Sequence, residues 1–366
     1  MRTESEAELA EAIRSATGPL AIRGGGTRAP APASGDRLDT AGLSGVVLHE
    51  PGALTLVAGA GTPLAEVEAL LAAEGQRLPF EPPDMRGLLG REGTSTLGGV
   101  TAANASGPRR VQAGACRDHL IGVRFVDGSG TVIRNGGRVM KNVTGYDLVK
   151  LMAGSHGTLG VLTELSFKVL PTPEAETTLA IDGLEPAAAV AAMAAALSTP
   201  WEVSGAAHHV GGAAWLRIEG FAASVAYRAA RLAEALAPFG SVTEAADSRA
   251  IWRAVRDVEP FHDRPGDVWR LSVRPSEAPA VAARAGADDA LMDWGGGRLW
   301  LLMPPGTDLR ARLGAFEGHA MLLRAAPQTI AQLGSFPPEP APVATLSAGL
   351  RRRFDPRGIL NPGLMG

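Results

Sequence analysis

Four glycine-rich runs in the first half of the chain carry the residue types that can receive an anionic ligand. They are RGGGT at 23–27, GAGT at 59–62, GTSTLGGVTAANASG at 93–107 and GSHGTLG at 154–160. Glycine lets backbone N–H groups come close to phosphate oxygens, as a pyrophosphate requires. Four separate loops point to one long ligand threaded through a domain, not to a single phosphate on one turn. The last run leads into a period-2 strand, where Val161, Thr163, Leu165, Phe167 and Val169 alternate with Leu162, Glu164, Ser166 and Lys168.

Each run also has a plain structural alternative. Gly24, Gly26 and Ala29 satisfy GxGxxA, yet Pro30 and Pro32 follow, so no helix is expected there to hold a pyrophosphate. Gly59 and Gly61 have a strand before them and a helix after. However, Leu64 stands where close helix–strand packing wants Gly or Ala, and a structural turn explains the pair about as well. No Gly-Lys-Ser or Gly-Lys-Thr triplet exists, which excludes a P-loop NTPase. The third run is preceded by EPPD at 81–84 and followed by PRR at 108–110. Small residues over that span suit either a ring lying flat on the main chain or a buried Gly/Ala-rich loop.

Hydrophobic periodicity supplies the scaffold. Residues 4–16 read as a helix with Leu9, Ala12, Ile13 and Ala16 on one face, and 20–22 as a strand entering the first run. Strands are expected at 46–49 and 54–58. Thr62 then caps a helix with Pro63 at its first position and Gly75 past its end. Asp127-Gly128-Ser129-Gly130, between 121–126 and 131–134, signals a hairpin. Beyond Pro171 and Pro173 the texture changes. Helices over 185–197 and 224–236, with strands at 215–218 and 299–303, make a second, mixed α+β unit. Residues 327–342 read as loop and 345–354 as a final helix.

Composition narrows the classes. A chain of 366 residues with 45% apolar content is long enough for two domains. A net charge of −3 makes no electrostatic case for nucleic acid or an anionic membrane. No apolar run reaches about 18 residues, so no transmembrane segment is proposed. The acidic, amphipathic start is unlike a signal peptide, and a cytoplasmic setting is expected. One cysteine, Cys116, excludes an intrachain disulfide and any iron–sulfur cluster held by this chain's own thiolates.

Taken together, RGGGT, PPD…GTSTLGGVTAANASGPRR, GGRVMKNVTGYDLVKLMAGSHGTLGVLTELSFKVLP and the terminal FDPRGILNPG resemble the vanillyl-alcohol-oxidase-type flavoproteins, the FAD-binding PCMH-type family. Within it the motifs are most similar to the FAD-binding subunits of bacterial glycolate oxidases. The resemblance implies an α+β fold: a two-subdomain FAD-binding domain at 1–172, a smaller cap or substrate domain at 173–330, and a C-terminal helix and tail at 331–366 returning to the flavin. It implies FAD bound by Arg23, Gly24, Gly25, Gly26 and Thr27, by Gly61 and Pro83, and by Thr96, Leu97, Gly98, Gly99, Asn104, Ser106 and Gly107. Gly154, Gly157, Thr158, Gly160 and Val161 would line the adenosine and pyrophosphate side, and Asn361 with Pro362 would close over the flavin. Relatives that attach FAD covalently use a His or Cys near the first or third run. Residues 24–28 contain neither, so FAD is expected to be non-covalent.

Relatives that oxidise 2-hydroxy acids carry a spaced pair of metal-binding histidines in the second domain. Here His208 and His209 are adjacent, which on a strand points them to opposite faces and on a turn would not. No metal is expected. Such an oxidase needs a cation for the carboxylate and a base for the hydroxyl proton. Arg109 and Arg110 adjoin the proposed flavin loop and offer the planar fork a carboxylate matches; they could equally hold FAD phosphates or a partner. His119 and Tyr146 are acid/base candidates, with Tyr146 expected to bury its ring. The resemblance implies a companion flavin subunit, an iron–sulfur subunit, and glycolate as the small 2-hydroxy acid of the whole complex. It also implies peripheral association with the inner membrane through those partners. Two further readings stand: a self-sufficient oxidase or dehydrogenase of a small alcohol or hydroxy acid, and a non-catalytic assembly subunit.

Overall fold

The computed structural model describes every residue except Pro30, Pro32, 138–144 and Gly366. The two prolines after the first glycine run, and RVMKNVT from the family motif, therefore lie outside the described residues. The fold is α+β, built on two antiparallel sheets. The first has five strands in the order Val46–Glu50, Thr55–Gly59, Val161–Lys168, Leu120–Val126, Val132–Gly136. Its alternating residues form one core, with Leu56, Phe125, Leu165 and Phe167 fully buried. The outer pair is the expected hairpin, and Gly130 takes the left-handed conformation (φ 81°) that its turn requires.

The second sheet has eight strands, all paired antiparallel. Their order is Val242–Glu244, Ala175–Ile181, Ala214–Gly220, Val203–His209, Asp289–Asp293, Arg298–Met303, Asp267–Val273, Gly318–Arg324. Helices Pro186–Leu197, Ala222–Leu236 and Ala278–Ala285 cover one face, around Trp269, Leu299 and Leu301. Helix Ser248–Asp257 covers the other, where Trp252, Val255 and Trp300 are buried. This second layer packs against Met85 and Leu88 of the first glycine-rich unit.

Several local expectations shift. The first helix spans Glu6–Ser15, capped by the Ser5 side chain accepting from the Glu8 amide. Thr62 does not cap the helix Leu64–Ala73; its hydroxyl instead accepts from the Gly45 amide at 2.9 Å, and Pro63 occupies the N-cap. The stretch read as loop contains the helix Pro327–Leu333, started by Pro327 and ended at Gly334. The final helix begins earlier, at Ala341.

Candidate functional site

The strand Leu20–Arg23 pairs in parallel with Asp36–Asp39, so both ends of the first glycine run are anchored. The other three runs are sewn to it and to each other by main-chain contacts. Gly98 N donates to Ala60 O at 2.7 Å and Leu97 N to Thr62 O at 2.9 Å, tying the second run to the third. Gly154 N donates to Thr101 O at 3.1 Å and His156 N to Ala102 O at 2.9 Å, tying the third to the fourth. All four thus surround the short helix Leu97–Ala102, which Thr96 caps by accepting from Gly99 N. A Cβ on Gly25 would lie 1.5 Å from Thr94 O, and one on Gly98 would lie 2.7 Å from Ala60 O. These glycines are required because loop lies on loop.

Between them opens a cleft of about 900 Å³. Arg23, Gly24, Gly25, Gly26 and Thr27 line it, as do Thr96, Gly98, Gly99, Gly157, Gly160, Val161 and Asn361. Gly61, Leu97, Gly154 and Thr158 are not in the wall. Gly61 packs on the Thr40 and Ala41 carbonyls, and the Thr158 hydroxyl donates to Ser155 O at 2.7 Å. Asn104 (φ 45°) turns its Oδ1 to accept from the Arg117 amide, and Gly107 packs on Glu81 O while its carbonyl accepts from Trp294 Nε1. Pro83 and Ser106 line a smaller cavity of about 40 Å³, and this shares Arg28, Ala103 and His156 with the cleft.

The cleft is electropositive. Arg23, Arg28, Arg37 and Arg91 all reach it. Burial pushes Arg28 down to about 10, against the pull of Asp84, and Arg91 is lowered by burial and by the like charge of Arg23. Arg28 Nε and Nη2 donate to Ser95 Oγ, at 3.3 and 2.8 Å, while its buried Nη1 has no partner in the protein. An orphaned guanidinium N–H beside glycine walls fits an anionic ligand such as a dinucleotide pyrophosphate. Arg28 and Arg91 escaped the sequence reading, and His156 was covered only as part of the fourth run. Arg28 directly follows RGGGT, which was its one signal.

The proposed catalytic groups lie elsewhere. Arg109 uses its whole fork on acids: Nε and Nη2 donate to Glu219 at 2.7 and 2.6 Å, and Nη1 pairs with Glu81 at 2.9 Å. Arg217 and Arg77 complete this network on Glu81 and Glu219. Burial alone would raise Glu219, but the Arg109 hydrogen bonds and the Arg217, Arg109 and Arg77 charges hold it well below the usual carboxylate range. The network joins the loop after Phe80 to the eight-stranded sheet. Arg110 stacks on Trp294, its Cζ 4.4 Å from the ring centroid. The expectation that Tyr146 buries its ring fails, since the residue is 89% exposed. His119 is buried outside the cleft and donates from Nε2 to Ala113 O at 2.7 Å.

His208 and His209 do fall on one strand. The first is buried against Ala213 O and the second pairs with Asp289 at 2.9 Å. Among the described residues no three His, Cys, Asp or Glu side chains gather as a metal-holding group. Cys116 is buried and its thiol is pushed up to about 12 by desolvation. No helix among the described residues is long and apolar enough to cross a membrane.

Comparison with known proteins agrees with this geometry. A family model described as FAD binding domain matches residues 1–136. The glycolate oxidase subunit GlcE of Escherichia coli K12 is 38% identical over 351 residues, 95% of this chain and 92% of that protein. The glycolate oxidase subunit GlcD of Bacillus subtilis 168 is 38% identical over 130 residues, 36% of this chain and 24% of that protein. A D-lactate dehydrogenase of Archaeoglobus fulgidus is 33% identical over 172 residues, 44% of this chain and 36% of the relative. Among solved structures, an alkyldihydroxyacetonephosphate synthase superposes with a TM-score of 0.72 at 16% identity. It covers 99% of this chain and 76% of the other, a likeness of fold.

Proposed function

This chain belongs to the glycolate oxidase GlcE family of FAD-dependent oxidoreductases, with FAD as its cofactor, and from that premise we propose that it is the FAD-binding subunit of a multi-subunit glycolate oxidase. In this reading residues 1–172 hold the cofactor, 173–330 form the cap and 331–366 return as a tail over the flavin. A companion flavin subunit and an iron–sulfur subunit complete the enzyme, which converts glycolate to glyoxylate. The partners would also carry any contact with the inner membrane, the chain itself being cytoplasmic.

The observation that carries the reading is the electropositive, glycine-walled cleft with the unpartnered Arg28 N–H at its inner end. Bound there, FAD supplies a two-electron acceptor. The chain's own residues do the rest. Backbone amides of 24–27 and the Arg23 and Arg28 guanidiniums take the pyrophosphate side. Asn361 pins the tail across the opening. The Arg109–Glu219 network sets the cap sheet against the flavin unit, keeping bulk water from the junction. In this reading FAD is held non-covalently, the first run having neither His nor Cys and His156 of the fourth run lying in the cleft wall.

An absorption spectrum of the purified chain, acid precipitation, and anaerobic addition of glycolate test this together. A flavin band released into the acid supernatant is expected. Bleaching by glycolate would make this chain the oxidising site itself; a band that stays oxidised leaves the chemistry to the partner. No flavin at all would overturn the reading in favour of an assembly role.

A further inference from the structure

The smaller cavity gathers arginines that make no ion pair with an acid among the described residues. Arg270 and Arg298 enter it from neighbouring antiparallel strands, where Arg270 pairs with Trp300 and Ser272 with Arg298. Arg270 donates to Met321 Sδ at 2.8 Å, a poor acceptor, and no carboxylate among the described residues lies within ion-pair distance of it. Arg298 donates to Ser106 O at 2.9 Å and stacks on Trp294 at 3.4 Å. Its cross-strand neighbour Asp293 also falls outside ion-pair distance, and burial pushes that carboxyl up to about 6. Beyond Arg28 Nη1, which the cofactor reading uses, one buried donor in the wall has no acceptor in the protein: Trp300 Nε1.

Burying arginines outside ion-pair distance of an acid is costly, and an orphaned donor adds to that cost. The donor set of this cavity suits an anion. Guanidinium forks favour a planar oxyanion, which each can meet with two parallel N–H donors. Met85, Met321 and Leu323 make the remaining wall apolar, which suits a carbon chain better than a fully hydrated inorganic ion. The volume holds about three to five non-hydrogen atoms, with more room only toward the cleft.

We propose that this cavity is a carboxylate-binding site carried by this chain itself, in which Arg270 and Arg298 hold a small carboxylic acid whose other end faces the flavin cleft past His156. The inference rests on the proposed function only for what lies in the cleft; the anion site stands on the arginines. The 2-hydroxy acids are the class whose carbinol carbon would then stand at the flavin side.

The test is calorimetric titration of the full chain with glycolate, oxalate, ethylene glycol and inorganic phosphate. Flavin content is measured first, and the flavin spectrum is followed in parallel. Glycolate and oxalate should bind, ethylene glycol should not, and Arg270→Met should weaken the acids about tenfold or more with flavin content unchanged. Arg270→Lys, which keeps the charge but not the fork, should fall between; it serves as the reporter if Arg270→Met fails to fold. Equal binding to wild type and variant, phosphate binding as well as the acids, or no binding at all would each overturn the site. A chain without flavin would defeat the proposed function alone, since the titration can still be run on it.

Discussion

Asn361 donates from Nδ2 to the carbonyl of His156 at 2.8 Å, across 205 positions of sequence, and its Oδ1 accepts from the Ile22 amide at 2.7 Å. Asn361 and His156 both hold left-handed backbone, with φ of 45° and 51°. One side chain thereby joins the first glycine run, the fourth run and the C-terminal tail at the mouth of the cleft. Asn361→Ala leaves a buried amide and carbonyl unpaired and should destabilise the chain by about 1–3 kcal/mol. Urea unfolding with a parallel measurement of flavin release rate checks this; unchanged release would remove the tail from the site.

The buried ion network gives a larger effect. Glu219→Gln leaves Arg77, Arg109 and Arg217 facing each other with one carboxylate fewer, and a loss of about 3–5 kcal/mol is expected. Chemical denaturation measures it. A loss under about 1 kcal/mol would mean that the network contributes little to holding the cap sheet.

Glycine at position 25 answers to protein atoms before it answers to any ligand. Gly25→Ala places a methyl carbon against Thr94 O and should cost about 1–3 kcal/mol even in flavin-free protein. Thermal melting of the apo chain decides it. Wild-type stability with lost flavin would instead assign that space to the cofactor.

Arg28→Met removes a buried guanidinium of the cleft that has an unpaired N–H. Flavin affinity should fall by about tenfold or more, because a charge-assisted hydrogen bond is lost, while folding is little changed. Equilibrium dialysis of FAD against wild type and variant checks it, and equal affinities would remove Arg28 from the cofactor site.

His156 titrates with a definite sign. Burial, reinforced by the Arg270 charge, lowers it to about 4, so the folded chain keeps the imidazole neutral where an unfolded one, near 6.5, takes up a proton. The native state then binds fewer protons between those values. Stability is present above about 6.5 and is lost as pH falls toward 4, by up to about 3 kcal/mol. Denaturation midpoints of wild type and His156→Gln, compared from pH 7 to 4, isolate this part; parallel curves would contradict it.

Much of this molecule is written in local pattern. The four glycine runs, the 120–136 hairpin, the strand after Gly160 and the alanine-rich helix Pro186–Leu197 follow from periodicity and turn chemistry, which act over a few residues. The same local signals carried the family resemblance. What the sequence could not place is everything decided by pairing at a distance. Arg109 has the right chemistry for a carboxylate ligand, yet Glu219, 110 residues away, claims it. Arg270 and Arg298 sit in unremarkable strands, and only the antiparallel register of an eight-stranded sheet brings them beside Trp300 at one cavity. Charge and residue type are local properties. Whether a charged side chain is satisfied by its own fold or left for a ligand depends on which distant groups the tertiary structure sets against it.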